Sequence, residues 1–321
     1  AFHLLQKMLM EGVMPNEFTY ASILSASHGS LDLRKLESIH ACVICSVYGS
    51  DIVVCNGLIH MYAKCRSFDE AIMIFNDMDD RNVVSWNAMI TAYVTCDVVE
   101  RALDCLNLMQ QEGICANETT LACILKSCGG IRDIERGEEI HDEIISRGLL
   151  GENVFLGNAV VDMYAKCGAL TKARQAFDDL FVRDIASWTT LISGYATHGQ
   201  GAEAMRMFER MTYEGCSPNE ITFISVLKAC GFMRCLEIGE DIHVEVRKQG
   251  LLQKSVVLGT ALVDMYSKCG ALKKAREVFE QLPTCNIVTW NVLITGYTQH
   301  GLADEAIKCF TKMKDEGVFP N

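Results

Sequence analysis

A period of 102 residues constrains this 321-residue chain more than any other feature. Its three tryptophans, Trp86, Trp188 and Trp290, stand 102 residues apart. The same shift superimposes MYAKC at Met61–Cys65, MYAKCGAL at Met163–Leu170 and MYSKCGAL at Met265–Leu272, and it carries His141 of IHDE onto His243 of IHVE. Length alone would point to about two domains of ~150 residues. Repetition at a fixed period instead specifies a stacked array, because one small unit cannot bury its apolar face alone.

Each block divides into units of 35, 36 and 31 residues. The units run 17–51, 52–82, 83–117, 118–153, 154–184, 185–219, 220–255, 256–286 and 287–321. Residues 1–16 are the back half of another long unit, since Gly12 and Pro15 match Gly215 and Pro218. Within 185–219, Trp188, Leu191, Ile192 and Tyr195 fall at i, i+3, i+4 and i+7, and Ala204, Met207, Phe208 and Met211 repeat that spacing after His198-Gly199. Each unit is therefore two helices, closed by a glycine such as Gly215 and kept closed by Pro218. No segment alternates with the two-residue period of a half-buried strand. The pattern predicts an all-α solenoid with one continuous core. The chain starts inside a predicted helix and stops at a unit boundary, as a piece of a longer protein does.

These units resemble pentatricopeptide repeats, and the 35–36–31 rhythm resembles the P–L–S triplets of plant organelle RNA-editing specificity factors. SWNAMITAY (Ser85–Tyr93), SWTTLISGY (Ser187–Tyr195) and TWNVLITGY (Thr289–Tyr297) match P units. FISVLKAC (Phe223–Cys230) with IGEDIH (Ile238–His243) matches L units, and ALVDMYSKCGALKKAREVF (Ala261–Phe279) matches S units. The resemblance implies a right-handed superhelix of stacked helix-turn-helix repeats that binds single-stranded RNA, one base per repeat. It further implies C-to-U editing in a chloroplast or mitochondrion, with small multiple organellar RNA editing factor proteins as partners.

The resemblance also implies which residues read bases: the fifth and last of each unit. In P units these are Asn87 with Asn117, Thr189 with Asn219, and Asn291 with Asn321; in S units, Asn56 with Asn82, Asn158 with Asp184, and Thr260 with Asn286. All are short side chains that donate and accept, apart from Asp184, which when ionised only accepts. The family's correspondence gives uracil for Asn with Asp, a pyrimidine for Asn with Asn, and adenine for Thr with Asn. The implied register, 5′ to 3′, is unread, pyrimidine, pyrimidine, unread, U, A, unread, A, pyrimidine. The unread steps are L units, whose fifth residues Ala21, Ala122 and Ile224 carry no hydrogen-bonding side chain, although their last residues Asp51, Asn153 and Ser255 do. The second residues, Val53, Val84, Phe155, Ala186, Val257 and Val288, are implied wedges between bases. Lys64, Lys166 and Lys268, at the end of the first helix of each S unit, are implied phosphate contacts.

Asn or Asp at the end of a unit precedes a helix and is a preferred N-cap. Capping does not explain Asn or Thr at a fifth position, inside a helix. The lysines also suit a helix C-terminus as plain counterions of its dipole. His141-Asp-Glu143 and His243-Val-Glu245 have the H-x-E spacing of a zinc deaminase, but no P-C-x-x-C follows, and both histidines recur at a repeat position. The periodic cysteines, Cys65, Cys167 and Cys269 among them, are expected as reduced packing residues. No catalytic residue, metal or cofactor is expected, and no run of apolar residues is long enough to span a membrane. The alternative function is a protein-binding helical scaffold, although such arrays usually hold a constant repeat length. A net charge of −12 excludes a simple basic glove for nucleic acid and predicts recognition through base edges with a shallow salt dependence.

Overall fold

The computed structural model describes residues 2–26, 33–96, 98–151 and 153–319. Among them there are nineteen α-helices and no strand. The chain divides into two compact units, Ala1–Leu150 and Gly151–Asn321. The first contains α1 (Phe2–Met10), α2 (Glu17–Ala26), α3 (Leu33–Ile44), α4 (Ile52–Lys64), α5 (Phe68–Asn76), α6 (Val83–Thr95), α7 (Val99–Gln111), α8 (Glu118–Ile131) and α9 (Ile134–Ser146). The second contains α10 (Val154–Lys166), α11 (Leu170–Asp178), α12 (Ile185–Thr197), α13 (Gly201–Tyr213), α14 (Glu220–Met233), α15 (Leu236–Lys248), α16 (Val256–Lys268), α17 (Leu272–Gln281), α18 (Ile287–Gln299) and α19 (Ala303–Asp315).

Two layers form in each unit. In the first, α2, α4, α6 and α8 pack in series, while α5, α7 and α9 each lie against the helix before them. In the second, α10, α12, α14, α16 and α18 pack in series, and α11, α13, α15, α17 and α19 pack outside them. The inner helices touch neighbours on several sides, so their buried residues spread around the helix. On α12, Trp188, Leu191, Ile192 and Tyr195 are all buried, and so are Thr189 and Ala196. The outer helices bury only a stripe; on α13 it is Gly201, Ala204, Met207 and Met211, with Phe208 half-buried beside Phe223.

Every tryptophan is core. Trp86, Trp188 and Trp290 meet Phe75, Phe177 and Phe279 edge to face, with ring centroids 4.7, 4.6 and 4.6 Å apart. These pairs tie an outer helix to the next inner one. Inner helices also come close at glycine: a Cβ on Gly194 would stand 2.8 Å from Ala165 Cβ, and one on Gly296 would stand 2.7 Å from Ser267 Cβ. All sixteen cysteines are free thiols. Among the described residues no helix is long and apolar enough to cross a membrane. Of the fifth-position side chains on the inner helices, Asn56, Asn87, Asn158 and Thr260 are half-buried, Asn291 is exposed and Thr189 is buried.

Candidate nucleic-acid interface

Residues spaced i, i+3, i+7 and i+11 fall on one face of a helix. On α16 that face is Val257, Thr260, Asp264 and Lys268; on α10 it is Phe155, Asn158, Asp162 and Lys166; on α4 it is Val53, Asn56, His60 and Lys64. The first helices of units 83–117, 185–219 and 287–321 repeat the first step of that spacing, with Val84 and Asn87, Ala186 and Thr189, and Val288 and Asn291. The second-position side chains stand in solvent: Val53, Val84, Phe155, Val257 and Val288 are all more than half exposed, and Ala186 is exposed. Between α16 and α18 a cleft of about 230 Å³ has Asp264, Lys268, Val288, Asn291 and Thr295 on its walls.

Fifth and last residues meet through hydrogen bonds that cross from one inner helix to the next. Asn117 caps α8, with Oδ1 accepting from Thr120 N–H at 3.0 Å. Asn87 Nδ2 donates to the same Oδ1 at 3.1 Å, and the Thr120 hydroxyl lies 2.5 Å from Asn87 Oδ1 and 2.9 Å from Asn117 Oδ1. Asn158 and Asp184 repeat the arrangement: Asp184 Oδ1 accepts from Ser187 N–H, Ser187 Oγ and Asn158 Nδ2 at 2.8, 2.9 and 3.1 Å. In the threonine pairs the link is hydroxyl to hydroxyl. Thr189 Oγ1 lies 2.8 Å from Thr222 Oγ1, which donates to Asn219 Oδ1 at 2.9 Å. Thr260 Oγ1 lies 2.8 Å from Thr289 Oγ1, which donates to Asn286 Oδ1 at 3.0 Å. In the remaining described pair, Asn82 caps α6 through Val84 and Ser85, and Asn56 Oδ1 is buried without a hydrogen-bond partner. Asn321, the intended partner of Asn291, lies outside the described residues.

Capping and pairing therefore coexist at Asn117, Asp184, Asn219 and Asn286, and both engage the same Oδ1 atom. The cap engages Oδ1 and leaves the other terminal atom outside that bond. For Asn117 and Asn219 that atom is the Nδ2 donor; for Asp184 it is the Oδ2 acceptor. Partial burial opposes ionisation of Asp184, but the Ser187 N–H and hydroxyl and the Asn158 amide outweigh it, holding the carboxyl below the usual range.

The third member of each set is a buried hydroxyl: Ser85, Thr120, Ser187, Thr222 or Thr289. Nothing in the apolar period marks it; its sign is Asn or Asp followed three residues later by Ser or Thr, a capping-box spacing. Asn16 shows the same pattern, with Oδ1 accepting from Thr19 N–H and Oγ1–H at 2.9 and 2.8 Å. Units 17–51, 118–153 and 220–255 end differently. Asp51, Asn153 and Ser255 cap α4, α10 and α16, but Val54, Leu156 and Leu258 take the hydroxyl's place. Ser255 also donates to Glu220 Oε1 at 2.5 Å. Ala21, Ala122 and Ile224 offer these caps no partner.

The lysines are not equivalent. Lys166 Nζ donates to Asp162 Oδ2 and Lys268 Nζ to Asp264 Oδ2, both at 2.6 Å. In α4 the residue one turn back is His60, so Lys64 has no carboxylate there. His243, from the H-x-E spacing, is a packing residue: Nδ1 is 2.9 Å from the Tyr266 hydroxyl. No group of His, Cys, Asp or Glu among the described residues could hold a metal ion.

A model of the PPR repeat family matches residues 81–130, 183–231 and 285–321, and a PPR repeat model matches residues 53–83 and 260–287. The chain belongs to the pentatricopeptide repeat family. It is 36% identical over 310 residues to a chloroplastic pentatricopeptide repeat-containing protein of Arabidopsis thaliana, covering 97% of this chain and 50% of that protein. To a mitochondrial one from the same plant it is 37% identical over 316 residues, covering 98% of this chain and 30% of the relative. This pentatricopeptide chain spans about half the length, or less, of these relatives. Its fold is similar to the crystal structure of the pentatricopeptide repeat protein PPR10 from maize, with a TM-score of 0.81 at 20% identity over 99% of this chain and 46% of that one. PPR10 in complex with an 18-nt psaJ RNA element gives a TM-score of 0.78, again at 20% identity, over 99% of this chain and 48% of that one.

Proposed function

We propose that the chain binds single-stranded RNA and reads one base at each P and S unit. The observation that carries this reading is the linking of fifth and last residues in four of the five described pairs, which leaves one donor or acceptor of the last residue available for a base. Base edges splayed from a single strand are the natural complement of such a row. Asp184 Oδ2 suits the N3–H of uracil. Asn117 Nδ2, with the remaining N–H of Asn87, suits the acceptors of a pyrimidine, and cytosine N3 best of all. Thr189 with Asn219, and Thr260 with Asn286, are assigned to adenine. The exposed valines and Phe155 separate neighbouring bases, and Lys64 contacts phosphate. The chain carries no catalytic step of its own.

The triplet rhythm and matched strings support assignment to the P–L–S group, hence a role in directing C-to-U editing in a chloroplast or mitochondrion. The curated relatives named chloroplastic and mitochondrial support the compartment. At the L units, exposed Phe18 and Ile221 flank steps without a reading pair. That favours docking of multiple organellar RNA editing factor proteins there, testable by pull-down without RNA.

The test of RNA reading is a binding scan over synthetic RNAs of the register given above, each altered at one position. Affinity should fall sharply at the U and A steps and little at the L steps. Equal tolerance at every position would favour a protein-binding scaffold instead.

A further inference from the structure

A hydroxyl has one proton, and at the two adenine steps that proton is assigned by the network around it. Asn219 Oδ1 must face inward, because it accepts from Thr222 N–H at 2.9 Å; the amide nitrogen in that place would set donor against donor. A carbonyl oxygen only accepts, so the Thr222 hydroxyl, 2.9 Å away, donates to it. Thr222 then has only lone pairs to offer Thr189, and across their 2.8 Å contact Thr189 is the donor. With its proton directed toward Thr222, the Thr189 oxygen, in a residue 7% exposed, has only lone pairs left to offer a base. The Thr189–Asn219 pair thus shows one acceptor and one donor, Asn219 Nδ2. Adenine offers the complement, an N6 amino donor and the N1 acceptor. Guanine offers the reverse, the O6 acceptor and the N1–H donor.

We infer that Thr222, a buried residue of the following unit that touches no base, is a positioning residue that sets the hydrogen-bond polarity of Thr189 and so the choice of adenine over guanine. This rests on the RNA-reading role proposed above. Thr260 reaches the same polarity by a second route. Its hydroxyl is 2.8 Å from the Val256 carbonyl as well as 2.8 Å from Thr289 Oγ1, so its proton has an internal acceptor even without Thr289. The two steps therefore respond differently to loss of the relay hydroxyl.

The experiment measures affinity of the full chain for the predicted RNA and for versions with guanine in place of adenine at each adenine step. Variants are Thr222→Val, Thr222→Ser and Thr289→Val. Thr222→Val keeps the side-chain shape and the residue 222 N–H that caps against Asn219. It should lower the adenine-over-guanine ratio at the 185–219 step about tenfold, the equivalent of ~1.4 kcal/mol. Thr222→Ser should restore the ratio, and Thr289→Val should leave the ratio at the 256–286 step near that of the unaltered chain. An unchanged ratio in Thr222→Val, or equal weakening toward both RNAs, would overturn the inference, since a residue that only caps α14 acts on stability alone. If Thr222→Val does not fold, Thr189→Val removes the polarised oxygen and leaves the cap in place; an adenine preference that survives there overturns it equally. Absence of any adenine preference in the unaltered chain would instead refute the RNA-reading role itself.

Discussion

Asp184→Asn exchanges one outward atom and little else, so its consequences follow from the geometry. The three donors held by Asp184 Oδ1, at 2.8, 2.9 and 3.1 Å, are equally acceptable to an asparagine oxygen, and the cap on α12 survives. What folding loses is a negative charge at a helix N-terminus, about 0.3–1 kcal/mol at a surface site. What binding loses is larger. The Oδ2 acceptor becomes an Nδ2 donor, which opposes the N3–H of uracil and complements N3 of cytosine. A base-edge contact discriminates by ~1–3 kcal/mol, or about 5- to 150-fold. The preference at the fifth step of the RNA should therefore turn from U to C, with the melting temperature nearly unchanged. Fluorescence anisotropy with two labelled RNAs differing only at that step measures the swap. A variant that still prefers U, or that weakens equally toward both RNAs, would refute the assignment of the outward atom. The pH behaviour of the unaltered chain provides a check. Because the Asp184 carboxyl is held low, its stabilisation is complete above the ordinary carboxylate range and is lost as pH falls from that range through the lowered value.

Trp188→Ala should cost about 3–5 kcal/mol in urea denaturation, because the indole is 1% exposed and sits against Phe177; a loss below ~1 kcal/mol would contradict the packing described. Lys64→Ala should reduce the salt dependence of RNA binding by about one phosphate contact, while Lys166→Ala and Lys268→Ala, whose ammonium groups are held by aspartates at 2.6 Å, should change it little; the reverse order would show that the ion pairs open for phosphate. Burial, aided by nearby Arg247 and Lys274, lowers the His243 pKa from 6.5, so the unfolded chain takes up a proton before the folded one. Stability should thus decline as pH drops from the ordinary imidazole range toward the lowered value, and His243→Asn should flatten that decline; an unaltered slope in the variant would exclude His243 as its source.

Much of this molecule is visible in its order of residues. Trp188, Leu191, Ile192 and Tyr195 follow the helical period so closely that the buried face of α12 can be written down before any coordinate. The types of residue at fifth and last positions are equally plain, since type is all that a sequence contains. The partners of those residues are not. Asn87 and Asn117 are thirty residues apart and meet only because α6 and α8 pack side by side. The Asp162–Lys166 and Asp264–Lys268 pairs lie at a spacing any helix makes neighbours and are legible in the sequence, whereas the 102-residue period marks only the lysines, since His60 stands where the aspartates do.

The sequence by itself determined the helical repeat, the composition of its core and the chemical kinds of side chain at fifth and last positions, because periodicity and residue type are local properties. Only the tertiary structure decided which atom of each fifth and last residue its neighbours engage. An amide has two unlike ends and a hydroxyl has one proton, so their polarity depends on groups drawn from two successive inner helices and held within about 3 Å. That is a property of the packed chain and of no single unit.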